Sequence, residues 1–112
     1  MPPKKNPLGL NALQLKTLTL LQELARVTGN SRSAEEAGIA VRRPDPHGDH
    51  FHLGDAVVAT RDATGLRNPA VWAALERKGL IRSMYPHMAV VSPLGLEYET
   101  GLREVILHRS GH

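Results

Sequence analysis

Asn68-Pro-Ala-Val-Trp-Ala-Ala-Leu-Glu-Arg-Lys-Gly79, followed by Leu80-Ile-Arg-Ser-Met-Tyr-Pro-His-Met-Ala-Val-Val91 and then Ser92-Pro-Leu-Gly95, decides how this chain is read. Asn68 is suited to cap a helix that Pro69 begins with its preset φ, and Gly79 can close that helix in the left-handed conformation. Leu80 to Tyr85 and Met88 to Ser92 then pair naturally as a hairpin about Pro86-His87. Ser92 and Pro93 repeat the cap-and-start signal for a closing helix that reads as running to about His108, across Gly95 and Gly101. On the helix from Pro69 to Lys78, Val71, Trp72 and Leu75 fall on one side and are predicted to be core, which leaves Ala70, Ala73 and Arg77 facing outward.

Toward the N-terminus, Leu13, Leu20, Leu21 and Leu24 recur at helical spacing, and Leu15 and Leu18 broaden the stripe. Asn11 and Gln14 can form a capping box, so a first helix is expected over roughly Asn11 to Val27. Residues 1–10 read as a basic flexible arm and 11–112 as one domain, with a long loop at 28–49 that holds at most a turn of helix at Ser33 to Ala37. His50 to Leu53 alternates like a short strand. Gly54 to Asp62 reads as a second helix, although Val-Val-Ala-Thr would also suit a strand.

The chain has 112 residues, enough for one domain, and no apolar run approaches a membrane span. No stretch resembles a secretory signal, and the lack of Cys removes disulfides and thiol chemistry, which fits a cytoplasmic location. The formal charge is +3 and the pI about 9.7, permitting attraction to a polyanion. Much of that excess sits in Lys4, Lys5, Arg42 and Arg43, outside the expected elements.

Helix, loop, short strand, helix, turn, helix, hairpin and closing helix is an α+β order that resembles the winged helix-turn-helix domain of MarR-type and ArsR-type bacterial regulators. The resemblance covers about Leu53 to Gly95. Leu53-Gly54-Asp55-Ala56 is similar to the start of the family's second helix, Leu75 to Ile81 to the end of its recognition helix, and Ser92-Pro93-Leu94-Gly95 to the Thr-Pro-x-Gly that follows the wing. It implies a mostly helical domain with a small β-hairpin wing, acting as a transcriptional regulator on double-stranded DNA.

On that reading the small side chains of Ala70 and Ala73 allow close approach to a major groove, where Arg67, Asn68, Arg77 and Lys78 meet bases or phosphates. Arg82 and His87 are the cations of the wing, and Lys4 and Lys5 can track phosphates without sequence preference. Winged helices also serve as protein-binding modules, and the nearly apolar outward face of the third helix suits that alternative. The leucine-rich first helix and the last helix, with Leu102, Val105, Ile106 and Leu107, imply a homodimer through the terminal helices.

A second constellation is Asp45-Pro-His47-Gly-Asp49-His50-Phe-His52. In a strand His50 and His52 share a face, so zinc or another divalent cation could collect both imidazoles with His47 or Asp49, as in a metal-responsive regulator. Asp55, Asp62, Glu76, Glu97, Glu99 and Glu104 are scattered rather than paired, and no nucleophile-base arrangement or phosphate-binding glycine motif is present, so an enzyme is not expected.

Overall fold

The computed structural model describes residues 6–28, 38–44 and 48–109. The chain forms a compact α+β fold in which one long helix is wrapped by short helices and small antiparallel sheets. That helix, α1 (Ala12–Thr28), begins with the expected capping box: Gln14 N donates to Asn11 Oδ1 at 2.8 Å and Asn11 N to Gln14 Oε1 at 3.0 Å. Its apolar surface is not a single stripe. Leu18, Leu20, Leu21 and Ala25 are fully buried, with Leu13, Leu15 and Leu24 packed against the same core. Thr17 and Thr19 are buried too, their hydroxyls donating to the Leu13 and Leu15 carbonyls one turn back. Contacts on several sides of α1 explain why its leucines spread around the helix.

Strand β1 (Ile39–Arg42) lies inside the segment read from sequence as loop. It pairs with β5 (Met88–Val91), which also pairs with β4 (Ile81–Met84), giving an antiparallel sheet in the order β1-β5-β4. Ile39 and Ile81 both stand opposite Val91, one on each side. The approach of β1 to β5 needs Gly38, where a Cβ would fall 2.1 Å from the Val91 carbonyl oxygen and φ is +97°.

A second sheet has the order β2-β3-β6, from β2 (His50–Leu53), β3 (Ala56–Ala59) and β6 (His108–Arg109). Residues 54–62 therefore do not form the expected second helix. Leu53 pairs with Ala56 across a Gly54-Asp55 turn, Gly54 lying at φ +62°, which is the two-residue hairpin with Gly leading. Val57 and Val58 follow as strand residues, in keeping with their β-branched side chains. Helical structure begins only after them, as the 3₁₀ helix Thr60–Arg67.

Helix α2 (Pro69–Arg77) starts and stops where expected. Ala70 N donates to Asn68 Oδ1 at 3.0 Å, and Gly79 follows the helix at φ +78°. Val71, Trp72 and Leu75 are buried, as the spacing predicts, together with Ala74.

The closing helix is shorter than expected. Ser92 caps α3 (Pro93–Glu97) by accepting from Gly95 N at 3.0 Å, but the chain leaves the helix at Tyr98 and resumes only in α4 (Arg103–Ile106). Tertiary bonds hold the break. Gln22 Nε2 donates to the Gly95 and Tyr98 carbonyls, and the Thr19 hydroxyl, its proton given to the Leu15 carbonyl, accepts from the Thr100 hydroxyl in the interior. Tyr98 in turn donates to Asn6 and accepts from Leu8 N, while Leu10 is buried, so residues 6–10 belong to the folded body rather than to the arm. Lys4, Lys5, His47 and the helical turn expected at Ser33 to Ala37 lie outside the described residues.

Candidate nucleic-acid interface

The outward face of α2 carries Ala70 and Ala73, with Glu76 and Arg77 in its last turn, all exposed. Glu76 is held toward the sheet, its carboxylate accepting from Ser83 N at 3.2 Å. That bond occupies an otherwise unpaired N–H on the outer edge of β4 and fixes the hairpin against α2. Lys78 is half-buried at the C-terminal end of α2, where a cation complements the helix dipole. Asn68 is engaged in capping through Oδ1, and its side-chain NH₂ remains the group able to donate outward.

The hairpin turn Tyr85-Pro86-His87 is braced from two directions. Tyr85 Oη donates to the Arg67 carbonyl at 2.9 Å, and its ring meets Trp72 edge-on with centroids 5.1 Å apart. On the other side Arg43 Nε donates to the Pro86 carbonyl at 2.6 Å, and Arg43 N to the His87 carbonyl at 2.9 Å. Arg67, His87 and Arg43 are thereby gathered around one turn, next to the N-terminus of α2. Arg43, which the sequence reading leaves in a loop, thus joins the candidate site, and Arg42 belongs to β1 itself. The available signal was the short alternation Ile39-Ala-Val-Arg running into a dibasic pair, too brief to mark a strand without its distant partner.

Arg82 occupies a different position from Arg77. It is exposed on β4 opposite Val90, on the sheet face turned away from the core. Glu76 is the single acid within α2, β1, β4 and β5, against Arg42, Arg77 and Arg82, so these four elements together carry a net positive charge.

The histidine constellation follows the expected parity: His50 and His52 are exposed on β2 while Phe51 and Leu53 are buried. The two rings meet edge-on at 5.6 Å, and His50 Nδ1 lies 3.0 Å from Asp49 Oδ1. That hydrogen bond, aided by a backbone bond and by the imidazole charge, holds the Asp49 carboxyl below its ordinary range. His108 on β6 stands opposite Val57, which stands opposite His52, placing all three histidines on one sheet face. Among the described residues no three His, Cys, Asp or Glu converge closely enough to hold a metal ion. No described helix is long and apolar enough to cross a membrane. Comparison with protein-family models, with curated proteins and with solved structures finds no match to this chain.

Proposed function

We propose that this chain is a winged helix-turn-helix module that binds double-stranded DNA and acts as a transcriptional regulator in the cytoplasm. The order of elements supports the fold reading: a first helix, a strand, a helical pair and a hairpin, with the early strand joining the hairpin in the order β1-β5-β4. The β2-β3 hairpin then reads as an insertion before the helical pair. In this arrangement α2 is the recognition helix and Tyr85-Pro86-His87 the tip of the wing.

The observation that carries the function is the gathering of Arg43, Arg67 and His87 about that tip at the N-terminal end of α2, with the exposed Arg77 at the other end of the same helix. Basic residues brought together from separate segments suit the phosphate backbone, which supplies most of the affinity in such complexes. Ala70 and Ala73 suit close approach to a groove, and the hydrogen-bonding groups able to read base edges are few, so affinity is expected to exceed sequence discrimination.

Titration against random duplex DNA at two salt concentrations tests this. Binding should weaken as salt rises, log K falling by about 0.9 per log unit of salt for each phosphate neutralised. No binding at low salt would favour the other reading, a protein-interaction module docking through Ala70 and Ala73. The regulator reading also includes a homodimer. Leu18, Leu20 and Leu21 of α1 are enclosed in the chain's own core and Leu13, Leu15 and Leu24 pack against it, so the contact is assigned chiefly to the last helix, where Val105 is 57% exposed. Sedimentation at micromolar concentration should report a dimer that Val105→Glu dissociates.

A further inference from the structure

The sheet β1-β5-β4 has an outer face that neither the core nor α2 uses. Register places Ala40, Val90 and Arg82 in one cross-strand row and Arg42, Met88 and Met84 in the next. The alternating residues Ile39, Val41, Ile81, Ala89 and Val91 are buried beneath. Ala40, Arg42, Arg82 and Met84 are exposed, Met84 at 43%, while Met88 and Val90 are partly covered by their neighbours. Arg42 and Arg82 thus stand at opposite corners, about 12 Å apart by strand and residue spacing, with an apolar centre between them. No carboxylate belongs to any of the three strands.

We propose that this face docks an amphipathic, acidic helix of a partner protein. Charge complementarity selects the sign of the partner, because two guanidiniums, with no acid on the three strands that form the face, match carboxylates in a bidentate manner. The apolar centre selects a protein over a phosphate backbone, which gains nothing from thioethers, and unbranched Met side chains adapt to an incoming apolar surface. Spacing selects the helix. Seven helical residues rise about 10.5 Å, so carboxylates at positions i and i+7 reach both arginines while apolar residues at i+3 and i+4 seat on Met88 and Val90. An extended segment spanning the same distance would direct about one side chain at the centre and leave most of the patch uncovered.

The probe is an alanine-based helical peptide with glutamates about seven residues apart and leucines midway between them. It is titrated into the full chain while the methionine methyl resonances are followed by NMR. The Met84 and Met88 methyls should shift and saturate below about 1 mM peptide. The same peptide with lysine for glutamate should bind at least about tenfold more weakly. Arg42→Glu combined with Arg82→Glu should reverse that preference, and the charge-swapped peptide on the unaltered chain tests it without relying on the variant. Methyls that stay unmoved at millimolar peptide, equal binding of both peptides, or a response to duplex DNA in place of the acidic peptide would each overturn the proposal.

Discussion

The Tyr85 hydroxyl donates to the Arg67 carbonyl, joining the tip of the β4-β5 hairpin to the residue that ends the 3₁₀ helix. The Tyr85 ring also rests edge-on against Trp72, which is fully buried on α2. One side chain therefore links the hairpin, the helical turn and the core, and fixes where His87 and Arg67 stand relative to α2. Glu76 holding Ser83 N adds a second link between α2 and β4. Together these bonds tie the helix and the hairpin to each other at two points, as the proposed fit to a groove would require.

Tyr85→Phe tests the link without emptying its site. The ring contact with Trp72 remains while the bond to Arg67 is lost, so urea denaturation should show a loss of about 0.5–1.5 kcal/mol. The variant should also bind duplex DNA more weakly than that small loss of stability explains, because the tip is no longer fixed. Unchanged DNA affinity would make the tyrosine a stabilising residue alone.

Trp72→Ala should cost about 3–5 kcal/mol, since a large side chain leaves the centre of the core. Trp72 Nε1 is buried without a hydrogen-bond partner among the described residues, so Trp72→Phe removes an unsatisfied donor along with volume and should cost clearly less. A thermal melt of the two variants checks both the size and the order. Equal losses would mean that the indole nitrogen has a partner, such as the face of Tyr85.

The features legible in the sequence are those that residues within a few positions decide. Asn11 with Gln14, Asn68 with Pro69, Gly79, and Ser92 with Pro93 mark helix ends through local chemistry, and the Val71, Trp72 and Leu75 spacing identifies a buried face. Strand β1 is not legible because its partner β5 lies far along the chain, and four residues alternate too briefly to stand alone. The Gly54-Asp55 turn is a local signal that the following run of Ala and Val obscures, since those residues fit either period. The break after α3 depends on Gln22 and Thr19, which approach it only in the folded state. The candidate site divides the same way: Arg77 and Ala73 are placed by helical spacing, whereas Arg43 reaches the hairpin tip only through the sheet.

A metal-responsive form of the regulator makes a separate claim on His47, Asp49, His50 and His52. Stoichiometric zinc should then raise the melting temperature, by the equivalent of about 2.7 kcal/mol at a hundredfold excess over Kd, and a chelator should reverse the gain. His50→Ala and His52→Ala should each abolish it, because zinc requires three or four ligands. Identical melts in zinc and in chelator would leave His50 as the hydrogen-bonding partner of Asp49.

The arginines separate base reading from phosphate attraction. Arg77 is exposed on the outward face of α2, so Arg77→Ala should weaken binding to a preferred duplex by about 1–3 kcal/mol and weaken unrelated duplexes less. Arg67→Ala, and removal of Lys4 and Lys5, should instead weaken all duplexes alike and flatten the salt dependence by about one phosphate equivalent per cation removed. Arg43→Ala combines both effects, because it removes a charge and frees the Pro86 carbonyl that the side chain holds. It should lower affinity more than Arg67→Ala does, with hydrogen exchange at residues 85–87 rising in parallel. If Arg77→Ala and Arg67→Ala weaken every duplex by the same factor, α2 is not reading bases, and binding rests on the charge gathered at the hairpin tip.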